Sequence, residues 1–217
     1  MMLITVNSWL MPDVSHPRSP SEGGGESFWR YLFRPAIVGF ILLNVLLQLS
    51  FGPYYTFFSI YLDEAGYSAA MTGVIWAVGV IAEVVLFWQF GRIMHLLSWR
   101  AWVIVSLVLT ALRWLLTGVL IDSLPSLFIL QILHAFSFGV MHAVSMRYVQ
   151  KLFPDHFHGR AQALYSSVSF GVGGALGAWI SGLLWEPMGG TLVFALAGAA
   201  SLAGAVVAWL TLSPVKR

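Results

Sequence analysis

Apolar residues run in six blocks, at about 36–62, 69–92, 101–121, 124–150, 161–185 and 190–212, separated by short polar breaks. A bilayer core about 30 Å thick takes about 20 residues at 1.5 Å rise, so each block is long enough to cross it as a helix. The breaks carry turn chemistry: Asp63-Glu64-Ala65-Gly66, Ser98-Trp99-Arg100, Asp122-Ser123-Leu124-Pro125, Pro154-Asp155-His156 and Glu186-Pro187-Met188-Gly189-Gly190. Connections this short make consecutive helices antiparallel neighbours. The alternating segments of a membrane β-barrel do not occur. The pattern predicts an all-α polytopic membrane protein with six transmembrane helices.

The basic residues orient it. Arg18, Arg30 and Arg34 precede the first block, Arg92 and Arg100 lie in the second break, Arg147, Lys151 and Arg160 around the fourth, and Lys216 and Arg217 at the end. The first, third and fifth breaks hold no Lys or Arg and carry Asp63, Glu64, Asp122 and Glu186 instead. By the positive-inside rule this alternation predicts cytoplasmic N and C termini. Residues 1–34, with Pro12, Pro17, Pro20 and the run Ser21-Glu22-Gly23-Gly24-Gly25-Glu26-Ser27, are expected to be a flexible cytoplasmic tail, and 35–217 the bundle. The first eleven residues lack a basic start and are broken by Asn7 and Ser8, so they do not read as a signal peptide. Phe28-Trp29-Arg30-Tyr31 suits an interfacial anchor.

Composition narrows the class. The chain is 59% hydrophobic and 9% charged, with 11 Lys and Arg against 9 Asp and Glu. A soluble domain carries about a quarter charged residues, so an ordinary soluble enzyme, a disordered chain and a nucleic-acid binder are excluded. The pI of about 9.1 reflects scattered charge and a net +2. The absence of cysteine removes disulfides, thiolate chemistry and Cys-ligated metal.

Against this background the polar residues inside the blocks stand out. Glu83, Arg113, His134 and His142 all fall within roughly 8 Å of the midplane at helical rise, Arg113 and His134 to the periplasmic side and Glu83 and His142 to the cytoplasmic side. Ionisable groups at that depth cost at least about 2.5 kcal/mol each and face a cavity or a partner. Glu83 is expected near Arg113 or His142, as the first candidate for a proton carrier; static charge neutralisation is the rival reading. Helical wheels gather Asn44, Gln48, Phe51, Tyr55 and Ser59 on the first span. Ser106, Thr110, Arg113 and Thr117 line up on the third, and Gln131, His134, Phe138, Met141, Ser145 and Tyr148 on the fourth with His142 at the edge. Gln162, Tyr165 or Ser166, and Ser169 do so on the fifth. Four such stripes resemble the wall of a wet cavity, whereas any single Ser or Thr more often cements helix packing. The sixth span has almost no polar residue and is expected to face lipid.

Pro53, in Gly52-Pro53-Tyr54-Tyr55, removes the hydrogen bond to the Leu49 carbonyl and is expected to kink the first helix, as a ligand contact, a hinge or a packing device. Gly173 and Gly177 form a small-xxx-small pair for close helix approach. Arg147 lies about 140° off the polar face of its helix and suits snorkelling to the surface. Phe157-His158-Gly159-Arg160 reads as a positive-inside anchor, and His95 and His156 as surface histidines. His134 and His142 are eight apart with no acidic partner on their helix, so neither metal nor other cofactor is expected.

The stretches Tyr54-Tyr55-Thr56-Phe57 through Ala65-Gly66-Tyr67-Ser68, Val80-Ile81-Ala82-Glu83-Val84, Leu112-Arg113-Trp114, Gln131-Ile132-Leu133-His134 and His142-Ala143-Val144-Ser145-Met146-Arg147-Tyr148 complete the picture. With them the chain resembles the second six-helix half of a major facilitator, in the phenylpropionic acid permease-like branch, over about 50 to 212. The resemblance implies a bacterial inner-membrane transporter performing proton-coupled symport of a small aromatic or other organic carboxylate. In related proton–sugar symporters an Arg on the ninth helix and a His on the tenth are used, positions that Arg113 and His134 match by fold analogy alone. Glu83, His134 and His142 are then the candidates for proton coupling. Arg113, Asn44, Gln48, Phe51, Tyr54, Tyr55, Gln131 and Phe138 are the candidates for substrate binding.

The departure from that family is the absence of the first six helices, since substrate sits between two halves that rock about it. Three alternatives stay open: a fragment, a subunit pairing with a separately encoded N-terminal half, or a dimer of two copies. The function classes that compete are a transporter, an accessory or non-transporting half, and an intramembrane hydrolase. The last needs a Gly-x-Ser-Gly nucleophile, and Trp179-Ile180-Ser181-Gly182 puts Trp at its first position.

Overall fold

The computed structural model describes residues 27–213, and all its regular structure is helical. The predicted tail up to residue 26 and the basic pair Lys216-Arg217 lie outside the described residues. Five helical stretches are long and apolar enough to cross a membrane: α1 (Pro35–Glu64), α2 (Ala69–Leu96), α3 (Trp99–Val119), α4 (Leu124–Leu152) and α5 (Asp155–Thr211). A short helix, Phe28–Leu32, precedes them and rests on the α4–α5 turn, with Phe28 5.9 Å from Phe153 and 5.3 Å from Phe157.

Local chemistry sets the ends. The Ser68 and Ser98 hydroxyls accept from the backbone N–H of Met71 (3.3 Å) and Ala101 (3.2 Å), capping α2 and α3. Gly66, at φ 85, closes the α1–α2 turn in a conformation only glycine adopts freely. Pro53 acts as its chemistry requires: α1 divides at Phe51, whose N–H is shared between the carbonyls of Leu47 (3.3 Å) and Gln48 (3.2 Å).

The fifth and sixth apolar blocks merge into one helical stretch, α5, in which Glu186 and Pro187 stay helical and the break falls at Gly189, φ 73, ψ 162. The two arms fold back on each other. Residues 155–188 climb α1, where a Cβ at Gly173 would meet the Val45 carbonyl at 2.9 Å and Gly177 abuts the backbone of Leu49, and the ascent ends with Trp185 on Phe57 at 4.6 Å. Residues 190–211 descend α3, from Gly118 beside Thr191 past Ser201 donating to the Leu107 carbonyl at 2.8 Å, and end with Thr211 against Gly39 of α1. The Gly173–Gly177 pair is therefore a packing surface. The sixth block does not simply face lipid: Gly190, Val193, Phe194, Ala197, Ser201 and Ala208 are buried, because small residues let it nest on α3, and Leu192, Leu196, Val206 and Trp209 face outward.

Two π-helical segments interrupt the regular helices, Ala135–Val140 in α4 and Ser167–Gly173 in α5, and they meet where Phe138 lies 6.3 Å from Phe170. The most exposed stretch is α2, in which only Ile75, Gly79 and Leu86 are buried. It leans on α4 and leaves Val80, Ile81, Val84 and Trp88 uncovered.

Candidate functional site

The midspan polar residues converge between α1, α2, α3 and α4. Arg113, on the inner face of α3, is 1% exposed. Its guanidinium lies over two aromatic rings, 4.5 Å from the centroid of Tyr54 and 4.3 Å from that of Trp114. Cation–π contacts of this kind contribute about 2 kcal/mol once desolvated, and they hold the fork flat between α1 and α3. Its Nη2 donates to Gln131 Oε1 at 3.2 Å, and the Tyr54 hydroxyl donates to the same oxygen at 3.0 Å. Arg113 Nε and Nη1 have no hydrogen-bond partner among the described residues. Trp114 in turn donates through Nε1 to Ser50 Oγ at 3.1 Å, locking α3 to α1.

The acid lies within electrostatic reach of Arg113, but its direct partner is a histidine. Glu83 Oε1 is 2.5 Å from His134 Nε2, with the side chains 17% and 8% exposed respectively. The pair joins α2 to α4, and neither Arg113 nor His142 holds Glu83. The reason is placement: Glu83 projects from the outer helix α2 onto the α4 face, while Tyr54, Gln131 and Trp114 take the direct contacts of Arg113 on the inner side. Gly79, one turn before Glu83, makes the approach feasible, since a Cβ there would sit 3.1 Å from Gln131 Oε1 and 3.5 Å from the His134 ring.

His134, Phe138 and His142 form a ladder along α4, their rings nearly parallel, with centroids 6.0 Å apart at both steps and interplanar angles of 11° and 5°. His142 packs against Tyr165 and Phe170 of α5, and its Nδ1 is buried without a hydrogen-bond partner. Phe51 is buried against Tyr54, Trp114 and His134, so it supports the cluster from behind.

Other candidates lie apart. Asn44 is a helix tie: its amide donates to the Phe40 carbonyl at 2.8 Å and its oxygen accepts from Ser145 at 3.0 Å. Gln48, 6% exposed, packs at the α1–α5 contact beside Gly173. Tyr55 is 53% exposed and forms the outer rim with Trp76, the two rings stacked at 6.4 Å. Thr110 and Thr117 donate to the carbonyls of Ser106 and Arg113 within α3. The stripes are thus buried largely against one another within the bundle, not laid open as a cavity wall. Ser181 is no nucleophile, for its hydroxyl is buried and donates to the Gly177 carbonyl at 2.7 Å.

Trp76 was not foreseen. Its ring lies 4.5 Å from Tyr54 and its Nε1 donates to Ser59 Oγ at 3.1 Å, which closes the cluster on the α2 side. The signal was present, because Trp76 and Glu83 are seven residues apart and share one helix face with Gly79 between them. Trp114 was legible only as a neighbour of Arg113.

Residues 3–196 match the MFS_1 like family. The chain is similar to the "Probable 3-phenylpropionic acid transporter" of Escherichia coli (strain K12), at 34% identity over 168 residues, covering 77% of this chain and 44% of that protein. It is also similar to the "Uncharacterized transporter YwbF" of Bacillus subtilis (strain 168), at 26% identity over 175 residues, covering 76% of this chain and 42% of that protein. The chain spans less than half the length of the curated relatives it matches. These relatives are transporters and not enzymes, which removes the hydrolase reading. An all-helical, multi-pass architecture with a buried polar cluster at midspan and a family match across most of its length has one home: the chain belongs to the MFS_1 like family of major facilitator transporters.

Proposed function

We propose that this chain is the substrate- and proton-handling half of a proton-coupled transporter for small aromatic or other organic carboxylates, in a bacterial inner membrane. The observation that carries it is Arg113, a buried guanidinium with Nε and Nη1 unpartnered and no carboxylate against it, while the one midspan acid sits on His134. A permanent cation desolvated to this degree favours an anionic guest, and the guanidinium fork suits a carboxylate. Tyr54 lies against it, with Phe51 and Tyr55 packed on Tyr54 as further aromatic surface, and Gln131 adds a polar group, whereas Asn44, Gln48 and Phe138 lie away from the guanidinium. The name of the Escherichia coli relative agrees with this substrate class. Binding of 3-phenylpropionate should weaken more than tenfold in Arg113→Lys, which keeps the charge and loses the fork. Equal binding by that variant, or binding of sugars in preference to acids, refutes the assignment.

Glu83 and His134 form the proton-handling pair in this reading, with His142 two ladder steps away. The two arms of α5 each cross the membrane, giving six crossings with both termini cytoplasmic, residues 1–34 a tail and 35–217 the bundle. The Lys and Arg alternation and the reversal at Gly189 support that topology. A reporter fused after Arg217 that is active only in the periplasm overturns it.

The exposed Tyr55 on half-buried Trp76 and the uncovered length of α2 favour a second half, either a separate six-helix unit or another copy, across the site. An accessory half without transport of its own is the rival reading. Transport by reconstituted chain alone, compared with chain plus a supplied N-terminal half, separates the two.

A further inference from the structure

We infer that Gln131 is a tethered stand-in for the substrate carboxylate, occupying its place on Arg113 and Tyr54 and giving way when the acid binds. The inference rests on the reading of Arg113 as the acid's anchor.

One oxygen carries the argument. Gln131 Oε1 accepts from two donors on two other helices, Tyr54 Oη at 3.0 Å and Arg113 Nη2 at 3.2 Å. Gln131 is 2% exposed, and both donors are 1% exposed. A side-chain amide has the planar geometry of a carboxylate and half of its acceptor capacity, since one of its two heteroatoms is a donor. It therefore imitates the shape of the bound acid and supplies no charge. The consequence is visible in the remaining donors: Arg113 Nε and Nη1 stay unpartnered. A true carboxylate in the same position accepts the same two hydrogen bonds and turns its second oxygen to the rest of the guanidinium. The exchange is favourable because a forked ion pair replaces one hydrogen bond from the guanidinium to a neutral amide, while the Tyr54 hydroxyl keeps an acceptor.

The surroundings allow the exchange. Glu83, the acid nearest in depth, is engaged by His134, so no side-chain carboxylate of the cluster claims the guanidinium. Gly79 faces the amide oxygen, leaving on the α2 side the space that a methyl group would crowd. Gln131 also sits at the end of the helical segment Leu124–Ile132, just before the π-helical turn Ala135–Val140, where the backbone register already changes. The stand-in thus keeps a buried cation partly satisfied between transport events and sets a threshold that weak hydrogen-bond acceptors do not pass.

The test uses the full-length chain, purified in detergent, with thermal unfolding and tryptophan fluorescence as readouts, Trp114 lying 4.3 Å from the guanidinium. Gln131→Ala removes the amide and leaves a gap of about its size. Acetate should raise the melting temperature of Gln131→Ala by several degrees and that of the wild type, where it must first displace the amide, by less, while acetamide and chloride at equal concentration give little. Gln131→Glu supplies a tethered carboxylate and should abolish the acetate response while melting no lower than Gln131→Ala. For 3-phenylpropionate, Gln131→Ala should bind roughly 10-fold or more tighter than wild type, the worth of one displaced hydrogen bond from a charged group. Acetamide stabilising Gln131→Ala as well as acetate does, or acetate giving nothing, overturns the inference. If 3-phenylpropionate binds the wild type through Arg113 and binds Gln131→Ala more weakly, Gln131 is an ordinary substrate contact and the inference falls alone. If acetate fills the gap and 3-phenylpropionate binds no variant, the stand-in survives and the proposed substrate class falls. Should Gln131→Ala not fold, Gln131→Ser takes its place with the same expectations.

Discussion

Replacing Glu83 by Gln changes one charge and almost no volume, so its effects report on the contact with His134. The bond is short, 2.5 Å, and mostly shielded, with side chains 17% and 8% exposed. Hydrogen bonds to charged groups contribute about 1.5–3 kcal/mol and neutral ones about 0.5–1.5, so Glu83→Gln should cost about 1–1.5 kcal/mol. For a chain of this size that lowers the melting temperature by roughly 2–6 °C. Glu83→Ala should cost more, about 3 kcal/mol, near the low end for a broken buried pair because the carboxylate retains some solvent. A double-mutant cycle with His134→Gln, read by thermal unfolding of purified chain, should show a coupling of about 1 kcal/mol or more. Additivity within about 0.5 kcal/mol would show that the two side chains do not work together. In a transport-competent assembly Glu83→Gln should abolish uphill, proton-driven accumulation and spare exchange; uphill transport at wild-type level would make the pair purely structural.

Three further outcomes follow from the same geometry. Gly177→Val should destabilise the chain by about 1–3 kcal/mol, because a Cβ there runs into the Leu49 backbone, whereas Gly91→Ala, with open space around it, should be neutral or slightly stabilising; thermal unfolding compares them. Ser145→Ala should cost about 1 kcal/mol through loss of the bond to Asn44 and leave 3-phenylpropionate binding unchanged, which distinguishes a helix tie from a substrate contact. Trp76→Phe keeps the ring against Tyr54 and removes the donor to Ser59, so it should move the substrate affinity less than threefold, while Trp76→Ala should weaken it by more than tenfold.

Hydropathy alone was sufficient to find the apolar blocks, because a bilayer demands contiguous apolar length and little else of a helix. It was less able to say how they pack. The distal arm of α5 reads as lipid-facing by polarity, yet nine of its residues from Gly190 on are buried. Gly190, Gly198 and Gly204 recruit neighbours by being small, a property that hydropathy does not weigh. The π-helical segments are equally silent. Nothing in Ala135–Val140 separates it by composition from the flanking helix, for the change lies in backbone register.

The site divides along the same line. Helical periodicity placed Arg113, Gln131 and His134 on inward faces, because one helix decides that question by itself. Pairing is decided between helices, and depth along a span is too coarse for it. Glu83 and His134 were assigned to opposite sides of the midplane, yet the tilt and packing of α2 against α4 bring them into contact. That one re-pairing changes the chemistry. With Glu83 on Arg113, the cluster would be a neutral salt bridge with nothing to offer an anion. With Glu83 on His134, the two titratable groups pair directly and the permanent cation stands beside them, in electrostatic contact with both and linked to them through the α4 segment from Gln131 to His134. If Arg113 anchors an acid as proposed, that acid displaces Gln131, and Gln131 lies one helical turn from His134 on the same face. In the proposed reading the anion site and the proton site are therefore adjacent through Gln131 and within electrostatic reach of one another, an arrangement in which binding of an anion biases the protonation of the pair.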